Sequence, residues 1–218
     1  APEMKSLAIF DLDGTLLNTI DDLGNSCNHA LRSMGFPTHA LMSYPMMVGN
    51  GITRLIERAL PDEARTPEII NSARRLFVDH YNDHCCDATV PYPGIPQLLA
   101  ELNKRNVNIA VASNKYDSAV HRIIARYFPD IRFAAIFGQL EGIPTKPDPS
   151  IVFEILTACP TPKSETLFIG DSAVDIETAR RACVDSVGVT WGFRSENELR
   201  KAFADNIVSD PDDILSLI

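Results

Sequence analysis

Nowhere in the 218 residues does an apolar run approach the roughly 18–20 residues that a membrane-spanning helix needs, so a membrane partner is not expected. Basic charge is scarce as well. Lys and Arg number 20 against 29 Asp and Glu, a formal net charge of -9, which sets the chain against general attraction to nucleic acid or anionic lipid. Five cysteines (Cys27, Cys85, Cys86, Cys159, Cys183) include no C-x-x-C pair, so the common zinc-ribbon and redox patterns are missing and reduced thiols are expected. There is one tryptophan, Trp191, and no internal repeat or low-complexity segment, which excludes solenoid architectures. The first residues lack a charged-then-apolar leader pattern, and the expectation is a soluble, cytoplasmic protein. Ala1-Pro2-Glu3 ahead of Met4 reads as a processing remnant.

A hydrophobic fraction of 45% with 22% charged residues, 11 Gly and 15 Pro describes an ordinary globular chain, neither disordered nor coiled-coil. Leu7-Ala8-Ile9-Phe10 is wholly apolar and ends in Asp11, the pattern of a strand buried on both faces. Similar runs occupy 107–112, 166–169 and 186–189, and helical periodicity fills 95–104, 118–127, 150–158 and 175–182. Alternating strands and helices predict a doubly wound parallel α/β sheet. Residues 19–90 break the alternation: helical patterns at 21–33, 52–59 and 67–84 occur there without a convincing strand. Thr66-Pro67-Glu68 reads as an N-cap, a proline at the first helical position and an acid in the first turn. Val90-Pro91-Tyr92-Pro93-Gly94 would punctuate the return. The expected organisation is a core of 1–18 and 91–218 with a helical cap of 19–90 inserted after the first strand.

Four short elements carry chemistry. Asp11-Leu12-Asp13-Gly14-Thr15 follows the first strand, so Asp11 and Asp13 project from its C-terminal end, where open α/β sheets bind ligands. Two neighbouring carboxylates repel unless a cation lies between them or one keeps a proton. Ser113-Asn114 places hydroxyl and amide donors at a second strand end. Lys146, between Thr145 and Pro147-Asp148-Pro149, is a stiffly presented cation that can offset an anion. Gly170-Asp171-Ser172-Ala173-Val174-Asp175 supplies two more acids, suited as hard oxygen donors to Mg²⁺, with Asp175 also expected as a helix N-cap.

These four elements, in this order, resemble the motifs of the haloacid-dehalogenase-like hydrolases across nearly the whole chain. That family has a doubly wound core and, in one branch, a helical cap after the first strand. Val48-Gly49-Asn50-Gly51, Leu55-Ile56-Glu57-Arg58-Ala59-Leu60 and Gly188-Val189-Thr190-Trp191-Gly192 further resemble its phosphoglycolate phosphatases. The resemblance implies that Asp11 is the nucleophile forming an aspartyl-phosphate and that Asp13 is the acid and base. It implies that Thr15, Ser113 and Asn114 hold phosphoryl oxygens and that Lys146 neutralises charge. It also implies Mg²⁺ on the carboxylates of Asp11 and Asp171 and the backbone carbonyl of Asp13, with Asp175 in an outer position. Asp13 disfavours dehalogenase and phosphonate-cleaving relatives, which depart from the D-x-D pattern.

For the cap, Gly49, Asn50 and Gly51 are expected to form a loop over the site, with Arg54 meeting a substrate carboxylate or other polar group. The expected activity is Mg²⁺-dependent hydrolysis of a small phosphorylated metabolite, 2-phosphoglycolate first. Pyrophosphate, sugar phosphates and a phosphomutase reaction are alternatives within the family, and a receiver-like phospho-acceptor or a silent binding protein lies outside it. A zinc cluster of His80, His84, Cys85 and Cys86 is disfavoured, because Tyr81 stands where a metalloprotease helix carries glutamate. Trp191 reads as packing or loop support.

Overall fold

The structure, a computed structural model, describes residues 4–218, so the processing-remnant reading of Ala1-Pro2-Glu3 lies outside the described residues. All four residues of β1 (Leu7–Phe10) are fully buried. Alternation across the strand sends Ala8 and Phe10 into one core cluster and Leu7 and Ile9 into another on the opposite face. That two-sided burial is why the run is continuously apolar.

Next come β2 (Leu17–Asn18), α1 (Ile20–Ser33), α2 (Ile52–Ala59), α3 (Pro67–His84) and β3 (Val90–Pro91). β2 and β3 pair antiparallel, Leu17 with Pro91 and Asn18 with Val90, so the chain leaves and re-enters the sheet region through one short ribbon. Val90 corrects the strand-free reading of residues 19–90: two residues of cross-strand pairing carry no periodic signal. At the start of α3 the Thr66 hydroxyl accepts the Ile69 N–H at 3.3 Å ahead of Pro67, as the sequence indicates. Asp22, buried in the first turn of α1, accepts the N–H groups of Ala88 and Thr89 and the Thr89 hydroxyl, clipping α1 to the segment that enters β3.

The remaining elements are α4 (Ile95–Lys104), β4 (Asn108–Tyr116), α5 (Asp117–Tyr127), β5 (Ala135–Gln139), α6 (Ser150–Ala158), β6 (Thr166–Gly170), α7 (Ala173–Ala182), β7 (Asp185–Val189), α8 (Glu196–Lys201), β8 (Asn206–Val208) and α9 (Asp212–Leu215). The six-stranded sheet runs β5-β4-β1-β6-β7-β8 with every pairing parallel. Apolar residues of α4 and α5 bury against one face and those of α6 and α7 against the other, the expected doubly wound plan. The chain proceeds from β1 to one side through β4 and β5, then crosses back to β6. Strand order therefore reverses at β1, and a crevice forms at its C-terminal end.

α7 begins two residues before the expected start. Ser172, in extended conformation, is its N-cap and Asp175 its third helical residue, which corrects the reading of Asp175 as the N-cap. The Asp175 carboxylate instead reaches back to the N–H and hydroxyl of Ser172, the acidic half of a capping box.

Candidate active site

β1 delivers Asp11 to the crevice, and its backbone N–H is fixed by the Ile169 carbonyl at 2.9 Å. Asp11 Oδ1 accepts from the Leu12 N–H at 2.8 Å and from Lys146 Nζ at 3.1 Å. Oδ2 has no donor among the described residues, so one oxygen is anchored and the other open. Gly14 turns the chain at φ 84°, and a Cβ there would stand 2.2 Å from Asp171 Oδ2. Glycine is what lets this turn pass beside that carboxylate.

Carboxylate oxygens of Asp11, Asp171 and Asp175 lie within 4.8 Å of one another. Lys146, whose backbone N–H and carbonyl are held by Asn114, is 2% exposed and also reaches Asp175 Oδ1 at 2.7 Å. Burial, then the charge of Asp175, drives the Asp11 carboxyl well above the usual carboxylate range despite the opposing pull of Lys146. Burial and the Asp175 charge push Asp171 up to about 7, while the Phe193 N–H, 2.9 Å from Oδ2, pulls the other way. Burial would depress the Lys146 ammonium, but Asp11 and Asp175 together raise it above its ordinary value. Such crowding of ionisable oxygens is what a hard divalent cation relieves, and the donor set fits Mg²⁺. Both oxygens of Asp175 are already committed, Oδ1 to Lys146 and Oδ2 to Asp171 N–H and the helix cap. Asp11 Oδ2 thus keeps an open donor position, and each oxygen of Asp171 accepts only one bond, from the Thr15 hydroxyl and the Phe193 N–H.

Asp13 lines the same cavity but with separate partners. Its Oδ1 accepts from the Thr19 hydroxyl at 2.6 Å and from Lys115 Nζ at 2.7 Å. Nζ also donates to the Tyr81 hydroxyl from α3. The repulsion expected between Asp11 and Asp13 is thus relieved by giving each its own lysine. Lys115, one residue beyond the Ser113-Asn114 pair and buried by Tyr81, is a site residue the sequence reading missed. A polar side chain directly after two strand-end donors was the available signal.

Ser113 lines the cavity, with its Oγ accepting the Lys115 N–H at 3.1 Å. Asn114 Nδ2 donates to the Gly49 carbonyl at 2.9 Å and to the Lys146 carbonyl at 3.1 Å, and Oδ1 accepts the Lys146 N–H. Gly49 and Gly51 line the cavity with Val48, Ile52, Leu55 and Phe77. Asn50 does not: its Oδ1 accepts from the Arg58 guanidinium. Nor does Arg54, whose side chain is 64% exposed and pairs with Glu57 on its own helix. Thr15 is buried beneath the cavity, its hydroxyl 3.5 Å from Asp171 Oδ1. The Trp191 indole N–H donates to the Thr15 carbonyl, in keeping with loop support. A further cationic group that touches the helical segment is Arg194, missed in the sequence, which donates to the carbonyls of Pro45, Met46 and Val48 and pairs with Glu198.

His29, His80 and His84 stack at centroid separations of 4.3 Å between α1 and α3, with His80 Nδ1 on the Ser26 hydroxyl. Among the described residues the aspartate trio is the one group of three or more His, Cys, Asp or Glu gathered as metal ligands would be.

A parallel sheet that reverses order at a strand ending in an anchored aspartate, faced by two more aspartates and a buried lysine, defines a hydrolase-type α/β site. Residues 8–189 match the family model described as haloacid dehalogenase-like hydrolase, and the chain belongs to that family. A phosphoglycolate phosphatase of Mesorhizobium japonicum is 33% identical over 87% of this chain and 84% of its own length. One from Pseudomonas syringae pv. tomato is 31% identical over 100% of this chain and 80% of its own. A solved structure from Lactobacillus delbrueckii subsp. bulgaricus, provisionally described as a phosphoglycolate phosphatase, superposes with a TM-score of 0.93 at 31% identity, covering 99% of each chain.

Proposed function

We propose that this hydrolase is a Mg²⁺-dependent phosphatase of small phosphomonoesters, with 2-phosphoglycolate as its substrate. The observation that carries the reading is Asp11: Oδ1 is pinned by Leu12 and Lys146, and Oδ2 is left open beside Asp171. The relatives named phosphoglycolate phosphatase support the substrate.

Asp11 Oδ2 attacks phosphorus in line with the ester bond, giving an aspartyl-phosphate, and the bond to the leaving oxygen breaks. Asp13 gives its proton to that oxygen, releasing the alcohol. As a carboxylate it then takes a proton from water, whose oxygen attacks the phosphoryl group and frees Asp11. The Ser113 hydroxyl and the backbone N–H groups near it hold phosphoryl oxygens, with the Asn114 side chain bracing the loops around them and Thr15 supporting the turn from below. The carboxylates of Asp11 and Asp171 and the Asp13 carbonyl would hold Mg²⁺, with Asp175 in the outer position that its saturated oxygens suit. Mg²⁺ supplies neutralisation of phosphate charge.

Residues 19–90 act as a cap over this chemistry, the Gly49–Gly51 loop closing against Asn114 and excluding bulk water. The cavity beneath, measured to the centre of a water molecule, is about 50 Å³. Five free cysteines suit the reducing cytoplasmic setting, and the partner is a small phosphorylated metabolite rather than nucleic acid.

The test is phosphate release across 2-phosphoglycolate, glucose 6-phosphate, glucose 1-phosphate and pyrophosphate, with Mg²⁺ or with chelator. The reading expects 2-phosphoglycolate to lead in kcat/KM and chelation to abolish turnover. A sugar phosphate in first place, or activity that survives chelation, overturns it.

A further inference from the structure

Three cationic side chains surround the reacting region, and they differ in what they leave for a ligand. Lys146 is held between two carboxylates, Asp11 and Asp175, and does not line the cavity. Each nitrogen of Arg194 already has a partner, either a backbone carbonyl of the cap or Glu198. Lys115 differs. An ammonium has three N–H donors, of which one goes to Asp13 Oδ1 and one to the Tyr81 hydroxyl. The third has no acceptor among the described residues, and Lys115 lines the cavity. Tyr81 lines it too, and its hydroxyl, accepting from Lys115, keeps its own proton to donate. Two adjacent donors, one cationic, thus stand at the wall next to Asp13 with apolar Leu23, Leu55 and Phe77 around them.

Asp13 fixes where a substrate would meet these donors. If it protonates the leaving oxygen, that oxygen must lie within hydrogen-bond reach of its carboxyl, and Lys115 Nζ stands 2.7 Å from Oδ1 of the same group. In a phosphate ester whose leaving oxygen sits on the carbon next to a carboxylate, ordinary bond lengths place the carboxylate oxygens about 3 Å from the leaving oxygen. A carboxylate one or two carbons further along the chain would overshoot the pair and meet the apolar wall. We propose that Lys115 and Tyr81 form a carboxylate subsite, selecting esters whose carboxylate is borne by the carbon that carries the phosphate. This inference rests on the phosphatase reading above and sharpens it to a substrate geometry.

The test compares kcat/KM for 2-phosphoglycolate with that for ethyl phosphate, the same ester with a methyl group in place of the carboxylate. It is run on wild type, Lys115→Met, Lys115→Arg and Tyr81→Phe. The expected ratio of the two substrates falls about 100-fold in Lys115→Met and about tenfold in Tyr81→Phe, and is partly restored in Lys115→Arg. Tyr81→Phe removes one oxygen and keeps the packing, so it decides the question even if Lys115→Met does not fold. A residue that merely positions Asp13 lowers both substrates alike; a ratio unchanged from wild type in Lys115→Met and Tyr81→Phe, where wild type does hydrolyse 2-phosphoglycolate, overturns the subsite. Wild type that hydrolyses neither ester overturns the phosphatase reading itself, a distinct result.

Discussion

Asn114 Nδ2 lies 2.9 Å from the Gly49 carbonyl, so one amide at the end of β4 holds the loop preceding α2 against the core. The same side chain brackets Lys146 through its N–H and carbonyl. Replacing Asn114 with Ala removes both ties and leaves buried backbone groups unsatisfied, at a cost of about 1–3 kcal/mol. We expect kcat/KM on the preferred substrate to fall roughly 10- to 100-fold, as steady-state assays would show, with Tm lowered by several degrees. Asn114→Asp, which presents an oxygen to the Gly49 carbonyl, is expected to be no better than Ala.

Asp22 makes a purely structural prediction. Its buried carboxylate accepts two backbone N–H groups and a hydroxyl at the entry to β3. Asp22→Ala orphans them and is expected to cost about 2–3 kcal/mol, or roughly 5–10 °C in Tm for a chain of this size. Calorimetry checks this, and a loss under one degree would show that the clip contributes nothing.

Arg194 and Arg54 separate a contact with the 45–48 segment from a surface charge. Arg194 spans three carbonyls with a fork that lysine cannot reproduce, so Arg194→Lys is expected to lower kcat/KM about tenfold. Arg54 pairs at the surface with Glu57 alone, and Arg54→Ala is expected to stay within about twofold of wild type. A large loss in Arg54→Ala on carboxylate-bearing substrates would return it to the role its sequence position suggests.

The contrast between those two arginines shows what a linear reading can carry. β1 was legible because both its faces are covered and every residue must be apolar. The edge strands β5 and β8 were not: Ile136, Phe137 and Asn206 are only half buried and mix with polar neighbours. Asp11, Lys146 and Asp171 were legible because each follows a strand end or sits in a stiff loop. Lys115 and Arg194 gain their meaning from partners distant in sequence, Tyr81 and the 45–48 segment, so the position of Lys115 after Ser113-Asn114 hints at a site but not at its role, and nothing local marks Arg194. Asn50 and Arg54 illustrate the reverse, since a glycine-flanked helix start fixes the loop but leaves open which side chains turn inward.

Protonation of Asp171 predicts a pH dependence in metal-free protein. Its carboxyl is raised from an unfolded value near 3.8 to about 7, so the folded state binds more protons between those values. Folding stability from this group is therefore full below about pH 4 and is lost as pH rises toward 7. Asp171→Asn is expected to flatten that decline in denaturant titrations. Mg²⁺ is expected to raise the Tm of wild type at pH 7.5 and to shift Asp171→Asn much less. An equal Mg²⁺ shift in both would remove Asp171 from the metal site.

The central claim is that Asp11 Oδ2 is the nucleophile. The most direct measurement is kcat for phosphate release from 2-phosphoglycolate by Asp11→Asn beside wild type, in saturating Mg²⁺, with both shown folded by circular dichroism. The account predicts a loss of about 10³-fold or more; a kcat for Asp11→Asn within tenfold of wild type would contradict it.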